Sequence, residues 1–488
     1  MSPLRRPLAR LLPAALAASL ITVIPVVDTS AAPKPVPAQR DSIAISGVDT
    51  TALKAAPSVP SSGRSGDRVV GMTTQLDTRD FRVAGVTWRG DRTDVEAFVR
   101  TRDARTGTWT DWSFLEAEGG PDAGSAEAAA ARGGTQPLIT AASDGIQVRV
   151  ESARAKPAEL EVDVVDPGTS DADGDVGSTP GATADGVQAK PTVHSRAEWG
   201  ADESIRKGDP VHGEVRGAVV HHTAGINAYS QEEVPGILRG IYDFHVNGRG
   251  WNDIGYNVLV DKWGRLWEGR AGGLENPVVG AHARGVNDET FGISAMGNYD
   301  TATAPDAMVT NIERFVAWKL GRHHVDPSAA ATIGGHWRHT VVGHRSVGQT
   351  VCPGRYLNAR LRDIRAGAKE RQSSAYYRPS TNPTTLPYGS GGSALTVGTA
   401  GNVTWRVRIK NDCLGVVSDR TGTRSGDTDL TVTWRGRQSE GSWGAWAPPG
   451  EYEVVLSGKD TQKGVWVPSW RGTITVTPTA DSPAPACA

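Results

Sequence analysis

The sequence predicts a multidomain protein, with an α/β domain (a mixed sheet flanked by helices) set between an N-terminal β domain and a C-terminal β-sandwich. Three observations carry that expectation. The chain has 488 residues, too many for one compact core. It is rich in Gly (58) and Pro (30), which gather with Ser, Ala or Asp around 33–66, 167–190 and 371–396 and read as a flexible leader and two linkers. Between those stretches the hydrophobic period changes, from two in 67–166 to a mixture in 191–370 and back to two in 397–488.

The amino terminus reads as an export signal over residues 1–32. Arg5, Arg6 and Arg10 precede an apolar run from Leu11 to Val27, and Thr29-Ser30-Ala31-Ala32 offers small residues for cleavage. A membrane anchor is the competing reading, since the run approaches spanning length. Pro13, Pro25 and the small-residue exit favour cleavage, and Arg5-Arg6 is a weak hint of twin-arginine export. No later segment is apolar enough to span a bilayer. The expected product is secreted, free of the membrane once the signal is removed.

In the N-terminal β domain, Ile146, Val148 and Val150 alternate with polar neighbours, as do Leu160, Val162 and Val164. Phe81–Trp88 and Val95–Arg100 look similar, and such alternation gives a strand one dry and one wet face. The central domain begins with a short buried-strand candidate, Ala218-Val219-Val220, ending at His221-His222. Ser230 and Glu233 suggest a capping box before Val234, Ile237, Leu238 and Ile241 at helical spacing; Pro235 leaves the helix start open by a few residues. Tyr256, Val258 and Val260 lead into the turn Asp261-Lys262-Trp263-Gly264, and Leu266–Glu268 return. Met308, Ile312, Phe315 and Val316 predict a second helix ending near Gly321. Leu357, Leu361 and Ile364 predict a third. In the last domain, Val403–Ile409, Leu430–Trp434 and Tyr452–Leu456 alternate as sandwich strands do.

Composition narrows the function. A net charge of −2 gives no electrostatic reason to expect nucleic acid. Fifteen Trp against six Phe fits small β domains or carbohydrate contact, without choosing between them. Three Cys exclude a disulfide framework. Pairing Cys413 with Cys487 would tie the last segment back to its sheet and leave Cys352 alone. A lone thiol in an exported chain needs a reason, and His344, eight residues upstream, with His221 at a strand end, offers one. Two imidazoles and a thiolate suit zinc, and three protein ligands leave a position for water, the catalytic arrangement. Zinc lowers the pKa of such a water to about 7 and polarises a carbonyl, which brings amide hydrolysis within reach. On spacing alone, unrelated core or surface residues remain the commoner explanation of two His and a Cys.

Five motifs in order change that balance: VVHHTAG (219–225), GWNDIGYNVLVDKWGRLWEGR (250–270), GAHARG (280–285), FGISAMGNY (291–299) and VVGHRSVGQTVCPG (341–354). Together with HSRAEWGA (194–201), they resemble the zinc-dependent type 2 N-acetylmuramoyl-L-alanine amidases and the peptidoglycan recognition proteins, over roughly residues 191–370. The resemblance implies a zinc site of His221, His344 and Cys352 in a groove that binds peptidoglycan, with His222 as a supporting neighbour. It implies that Tyr256 steadies the water or the developing oxyanion, and that Thr350 donates to that oxyanion. His245 and His282 match family histidines near the groove, where structural imidazoles are an equal reading. Glu268 is a candidate base or a solvated hairpin carboxylate. His323-His324 and His336/His339 read as surface pairs at a helix end and in a loop. Trp251, Trp263 and Trp267 are candidate sugar platforms or core aromatics. The final domain loosely resembles immunoglobulin-like modules of bacterial surface hydrolases.

The resemblance therefore implies a secreted hydrolase cutting the amide between N-acetylmuramic acid and L-alanine with a zinc-activated water. The alternative from another class is a protein that binds or senses peptidoglycan without cutting it. Family members lacking the Cys ligand do so, and here the Cys is present.

Overall fold

The computed structural model describes residues 34–56, 68–174, 189–439 and 444–487. The expected export signal lies outside these residues. Among the described residues no helix is long and apolar enough to cross a membrane.

The N-terminal module is one eight-stranded sheet. Its main path runs Gln39–Ala44, Glu161–Asp166, Leu76–Trp88, Leu138–Ser152, Val95–Asp103 and Ser113–Leu115, all antiparallel neighbours. The alternating residues face one core: Ile146, Val148, Val150, Val162 and Val164 pack with Phe81, Val86 and Val99. One expectation needs correcting here. Residues 33–66 are not simply a leader, because Gln39–Ala44 pairs along its whole length with Glu161–Asp166, and Asp49 caps a short helix, Thr50–Ala55.

The central domain is a six-stranded mixed sheet in the order Val341–Gly343, Gly217–His222, Thr290–Ala295, Val258–Val260, Leu266–Glu268 and Val193–His194. Four of its five pairings are parallel, and Val258–Val260 with Leu266–Glu268 forms the expected antiparallel hairpin. Helices cover both faces. Asp306–Arg322 and Leu361–Arg371 pack Ile312, Phe315, Val316 and Ile364 against Val220, Val258 and Ile293. Val234–Asp243 packs Ile237, Leu238 and Ile241 against Leu259 and Trp267 on the other face. The first of these helices in chain order starts later than the capping box suggests. Glu233 is itself the N-cap, Pro235 occupies the first turn where no amide bond is lost, and Glu233 accepts from the Ser230 amide at 2.7 Å.

The C-terminal module wraps one core with two sheets, one of three strands and one of five. Cys413 and Cys487 form a disulfide, with Cα atoms 5.5 Å apart. The second linker also needs correcting: within 371–396, Ala375–Asn382 and Ser393–Ala400 pair antiparallel in the smaller sheet, and Thr385–Pro387 joins the larger. Tyr376 and Leu395 are buried members of its core.

The N-terminal and central modules share a tightly bonded interface. Phe244, fully buried, packs between Val83 and Val165. Arg249 is buried and donates to the carbonyls of Arg132 (3.2 Å), Thr135 (3.2 Å), Glu118 (3.1 Å) and Gly119 (3.0 Å). Arg270 grips Glu127 with both terminal nitrogens, at 3.0 and 2.7 Å. Part of the acidic linker belongs here too, since Arg239 binds Asp173 at 2.7 Å.

Truncating Phe244 to Ala should cost about 3–5 kcal/mol, because it would leave a gap between the helical turn that carries it and the N-terminal sheet. Urea denaturation measures it, and a loss below about 1 kcal/mol would mean that the modules meet only loosely.

Candidate metal centre

Two adjacent parallel strands and one returning loop build the candidate site. Along Gly217–His222 alternation sends Ala218 and Val220 into the helix-covered core and turns Val219 and His221 to the opposite face. Val220 pairs with Gly343 on the neighbouring strand, so the next residue on each strand, His221 and His344, emerges at the same sheet edge. The loop then brings back Cys352, whose carbonyl accepts from the Arg345 amide at 2.9 Å. Gly354 follows at φ +84°, where a Cβ would come within 2.3 Å of the Tyr299–Asp300 backbone, so only glycine fits there.

The ligand atoms of His221, His344 and Cys352 all lie within 4.8 Å of one another, and all three residues are buried. His221 turns Nδ1 toward the Cys352 sulfur at 3.7 Å and Nε2 toward His282 Nδ1 at 3.1 Å. His282 therefore fixes the orientation of His221 and leaves Nδ1 as the donor, the usual arrangement around a ligating imidazole. Burial, together with the neighbouring His344 and His282, holds His221 well below its ordinary pKa, and burial takes His344 down to about 4. Both rings are thus neutral at pH 7, the state that binds a metal. Burial pushes the Cys352 thiol up, opposed by the His222 amide 3.3 Å from sulfur. A cation is the natural compensation for a thiolate in that setting. The donor set fits zinc with one of four positions open. His222 itself looks away, its Nδ1 accepting from the Tyr299 amide at 3.1 Å.

Tyr256 and Thr350 both stand at this site, yet each is engaged by the other module. The Tyr256 hydroxyl donates to Glu118 Oε1 at 2.9 Å and the Thr350 hydroxyl to Glu116 Oε2 at 2.6 Å. Burial alone would raise the Glu118 carboxyl, but its surroundings hold it below the usual carboxylate range. His245 lies 3.7 Å away. Its ring is kept below its own ordinary value by burial, so the positive charge facing Glu118 is the Arg249 guanidinium at 3.4 Å. Motif reasoning missed Glu116, Glu118 and Arg249 as site residues. The two carboxylates are 234 and 138 residues from their partners, and nothing local marks them.

The remaining candidates separate cleanly. His282 belongs to the site through His221, while His245 stacks on Trp251 with ring centres 4.5 Å apart. Glu268 lies near the charges of Arg196 and Lys190. Trp251 and Trp267 are fully buried, the latter stacked on His194 at 4.5 Å, and Trp263 packs edge-on against Tyr229 at 5.6 Å. Trp251 and Trp267 thus have core roles rather than sugar-platform ones, whereas Trp263 is only partly buried. His336 and His339 lie on an exposed strand, not in a loop. Among the described residues, the His221–His344–Cys352 group is the cluster able to hold a metal.

The central domain is similar to known proteins. Residues 211–355 match a family described as N-acetylmuramoyl-L-alanine amidase, and residues 38–174 match one described as Rv3811 N-terminal galactose-binding domain-like. Peptidoglycan-recognition protein SC2 of Drosophila simulans is 34% identical over 163 residues, 33% of this chain and 80% of that protein. The chain belongs to the type 2 amidase and peptidoglycan recognition protein family. Peptidoglycan recognition protein 1 of Bos indicus is 32% identical, over 33% of this chain and 78% of its own. The solved structure of wild-type Drosophila peptidoglycan-recognition protein LB is similar at 30% identity and a TM-score of 0.30, covering 35% of this chain and 92% of that one. The match at 38–174 also bears on the N-terminal boundary, since it takes in the strand Gln39–Ala44 and Asp173.

For an amidase-family site of this composition, zinc added to the metal-free chain at pH 7 should bind one ion and displace about one proton, that of Cys352. Calorimetry in two buffers of different ionisation enthalpy measures the proton; Cys352→Ala should release none.

Proposed function

We propose that the protein is an exported, wall-associated N-acetylmuramoyl-L-alanine amidase that depends on zinc. The observation that carries this reading is the complete, buried and mutually adjacent set of His221, His344 and Cys352 in a chain of this family. The similar proteins of Drosophila simulans and Bos indicus are both named for peptidoglycan recognition, which supports a muramyl peptide as the ligand class.

In the proposed reaction, water adds across the amide between the lactyl carbonyl of N-acetylmuramic acid and the nitrogen of L-alanine. The C–N bond breaks, oxygen joins the carbonyl carbon, and the proton leaves with the amine. Zinc bound by the three ligands supplies an acidified water and a polarised carbonyl. His282 keeps His221 in its ligating orientation, and the His222 amide stabilises the Cys352 thiolate. Tyr256 and Thr350, once their protons are available, donate to the carbonyl oxygen as it gains charge. A carboxylic amide is a poor electrophile, so these donors matter most after attack begins.

We also read the C-terminal module as an immunoglobulin-like spacer or wall-docking unit. The competing function is recognition without cleavage, and the retained Cys352 disfavours it.

The test is zinc content and release of L-alanine-terminated stem peptides from purified peptidoglycan, for wild type and Cys352→Ala. We expect metal and cleavage to be lost together, with the circular dichroism unchanged. A wild-type chain that holds zinc and binds peptidoglycan, yet frees no peptide, would make this a binding protein.

A further inference from the structure

Tyr256 and Thr350 each carry a single hydroxyl proton, and both protons are already given away. A hydroxyl donates one hydrogen bond, so neither residue can serve a substrate oxygen while bonded to Glu118 or Glu116. Glu116 also accepts from the Val351 amide at 3.1 and 2.9 Å, next to the Cys352 ligand. Charge points the same way. Glu118 is a buried acidic side chain facing the Arg249 guanidinium at 3.4 Å and His245 at 3.7 Å. A fixed anion on the Tyr256 hydroxyl raises the energy of further negative charge there, the reverse of what an oxyanion site provides.

Both carboxylates sit on one strap, residues 116–122, between the strand Ser113–Leu115 and the short helix Ala126–Ala130. The strap is fitted to the groove. Asn287 donates to the Gly120 carbonyl at 2.9 Å and to Asp122 at 2.8 Å. Gly120, at φ +146°, passes so close to Trp251 that a Cβ would lie 2.9 Å from the indole. The cavity left beside His344 measures about 210 Å³ and is walled by Thr93, Glu116 and Gly119 on one side and by Arg284, Gln349 and Thr350 on the other. Pockets that enclose drug-sized ligands span roughly 300–1,000 Å³, and a muramyl peptide is at least that large. Productive binding therefore needs the volume that the strap now fills.

We propose that the strap 116–122 of the N-terminal module is an intramolecular inhibitor: Glu116 and Glu118 occupy the donors meant for the scissile amide, the groove is latent, and muramyl peptide competes with the strap for it. The proposal rests on the amidase reading. It makes the N-terminal module a regulator of the site rather than an independent wall-binding unit.

The test compares full-length wild type with the Glu116→Ala/Glu118→Leu double variant, in which Leu keeps roughly the size of the buried side chain but offers Tyr256 no acceptor. Reaction of the sole free cysteine, Cys352, with a thiol-specific disulfide reagent is followed in the metal-free chains. Stem-peptide release from purified peptidoglycan is followed in the zinc-loaded chains. We expect both rates to rise about tenfold or more, as removal of a local closing contact predicts. Equal thiol rates overturn the strap, leaving the amidase reading intact if the wild type cuts. Faster thiol reaction with slower cleavage also overturns inhibition, since Glu118 would then assist the reaction. Faster thiol reaction with no cleavage by either chain supports closure by the strap and sinks the amidase reading instead. Should the double variant fail to fold, hydrogen exchange in the wild type decides. Amides of 116–122 should exchange faster when N-acetylmuramoyl-L-alanyl-D-isoglutamine saturates the protein, and unchanged exchange at saturation overturns the proposal.

Discussion

One buried cation, the Arg249 guanidinium, sets the geometry on which everything else rests. Taking a guanidinium out of water costs several kcal/mol unless every donor finds an acceptor. Arg249 finds four carbonyls and the Glu118 carboxylate, all on the neighbouring module. The arrangement works only when the two modules are docked in a single register. That register in turn delivers Glu118 to Tyr256 and, two residues earlier, Glu116 to Thr350. The indole of Trp251 lies 4.6 Å from the same guanidinium and stacks on His245, so the cation also stiffens the floor of the groove. Apolar contacts such as Phe244 with Val83 and Val165 add strength, but the polar constellation decides where the strap lies.

How much of this was legible in the chain depends on the range of the interaction. The central sheet, its hairpin and its helices follow from local periodicity, because burial on one face leaves a pattern within a few residues. The juxtaposition of His221, His344 and Cys352 was legible for a different reason: motif order ties them together even though the chain separates them. Composition misled in the supposed leader and the second linker. Gln39–Ala44 is an edge strand, half exposed, and its alternation is correspondingly faint. Tyr376, Tyr377, Leu386 and Leu395 were the available signal against a linker at 371–396, since a loose spacer has no use for buried aromatics. Glu116 and Glu118 left no trace, being two acidic residues after a strand whose partners belong to another domain. Such contacts are products of docking, and docking is not written in any short window.

The site's electrostatics make sense as a pair of opposed demands. The ligands sit where burial keeps imidazoles neutral and disfavours a free thiolate, a pocket that favours a divalent cation over protons. The groove immediately beside it carries a buried anion. A cation held there would give Glu118 a more positive neighbourhood, so on the proposed reading metal and strap would reinforce each other. On the proposed reading, a substrate carbonyl would enter as a neutral group and become anionic only during reaction, gaining from the donors only once the carboxylates had left.

On the proposed amidase reading, a tethered inhibitor would also change how the protein reads its substrate. Because strap and groove are parts of one folded unit, their mutual effective concentration is high, of the millimolar order typical of short tethers. A dilute soluble fragment must compete against it, and its apparent affinity falls by the fraction of time the groove is open. Polymeric peptidoglycan presents many stem peptides at one surface and loses less to this competition. On the proposed reading the Glu118–Tyr256 bond becomes a threshold, set by how firmly Arg249, Asn287 and the backbone bonds to Gly134 and Gln136 hold the strap. Loosening those anchors, rather than altering the zinc ligands, is where variation in such a chain would tune its activity without touching the chemistry.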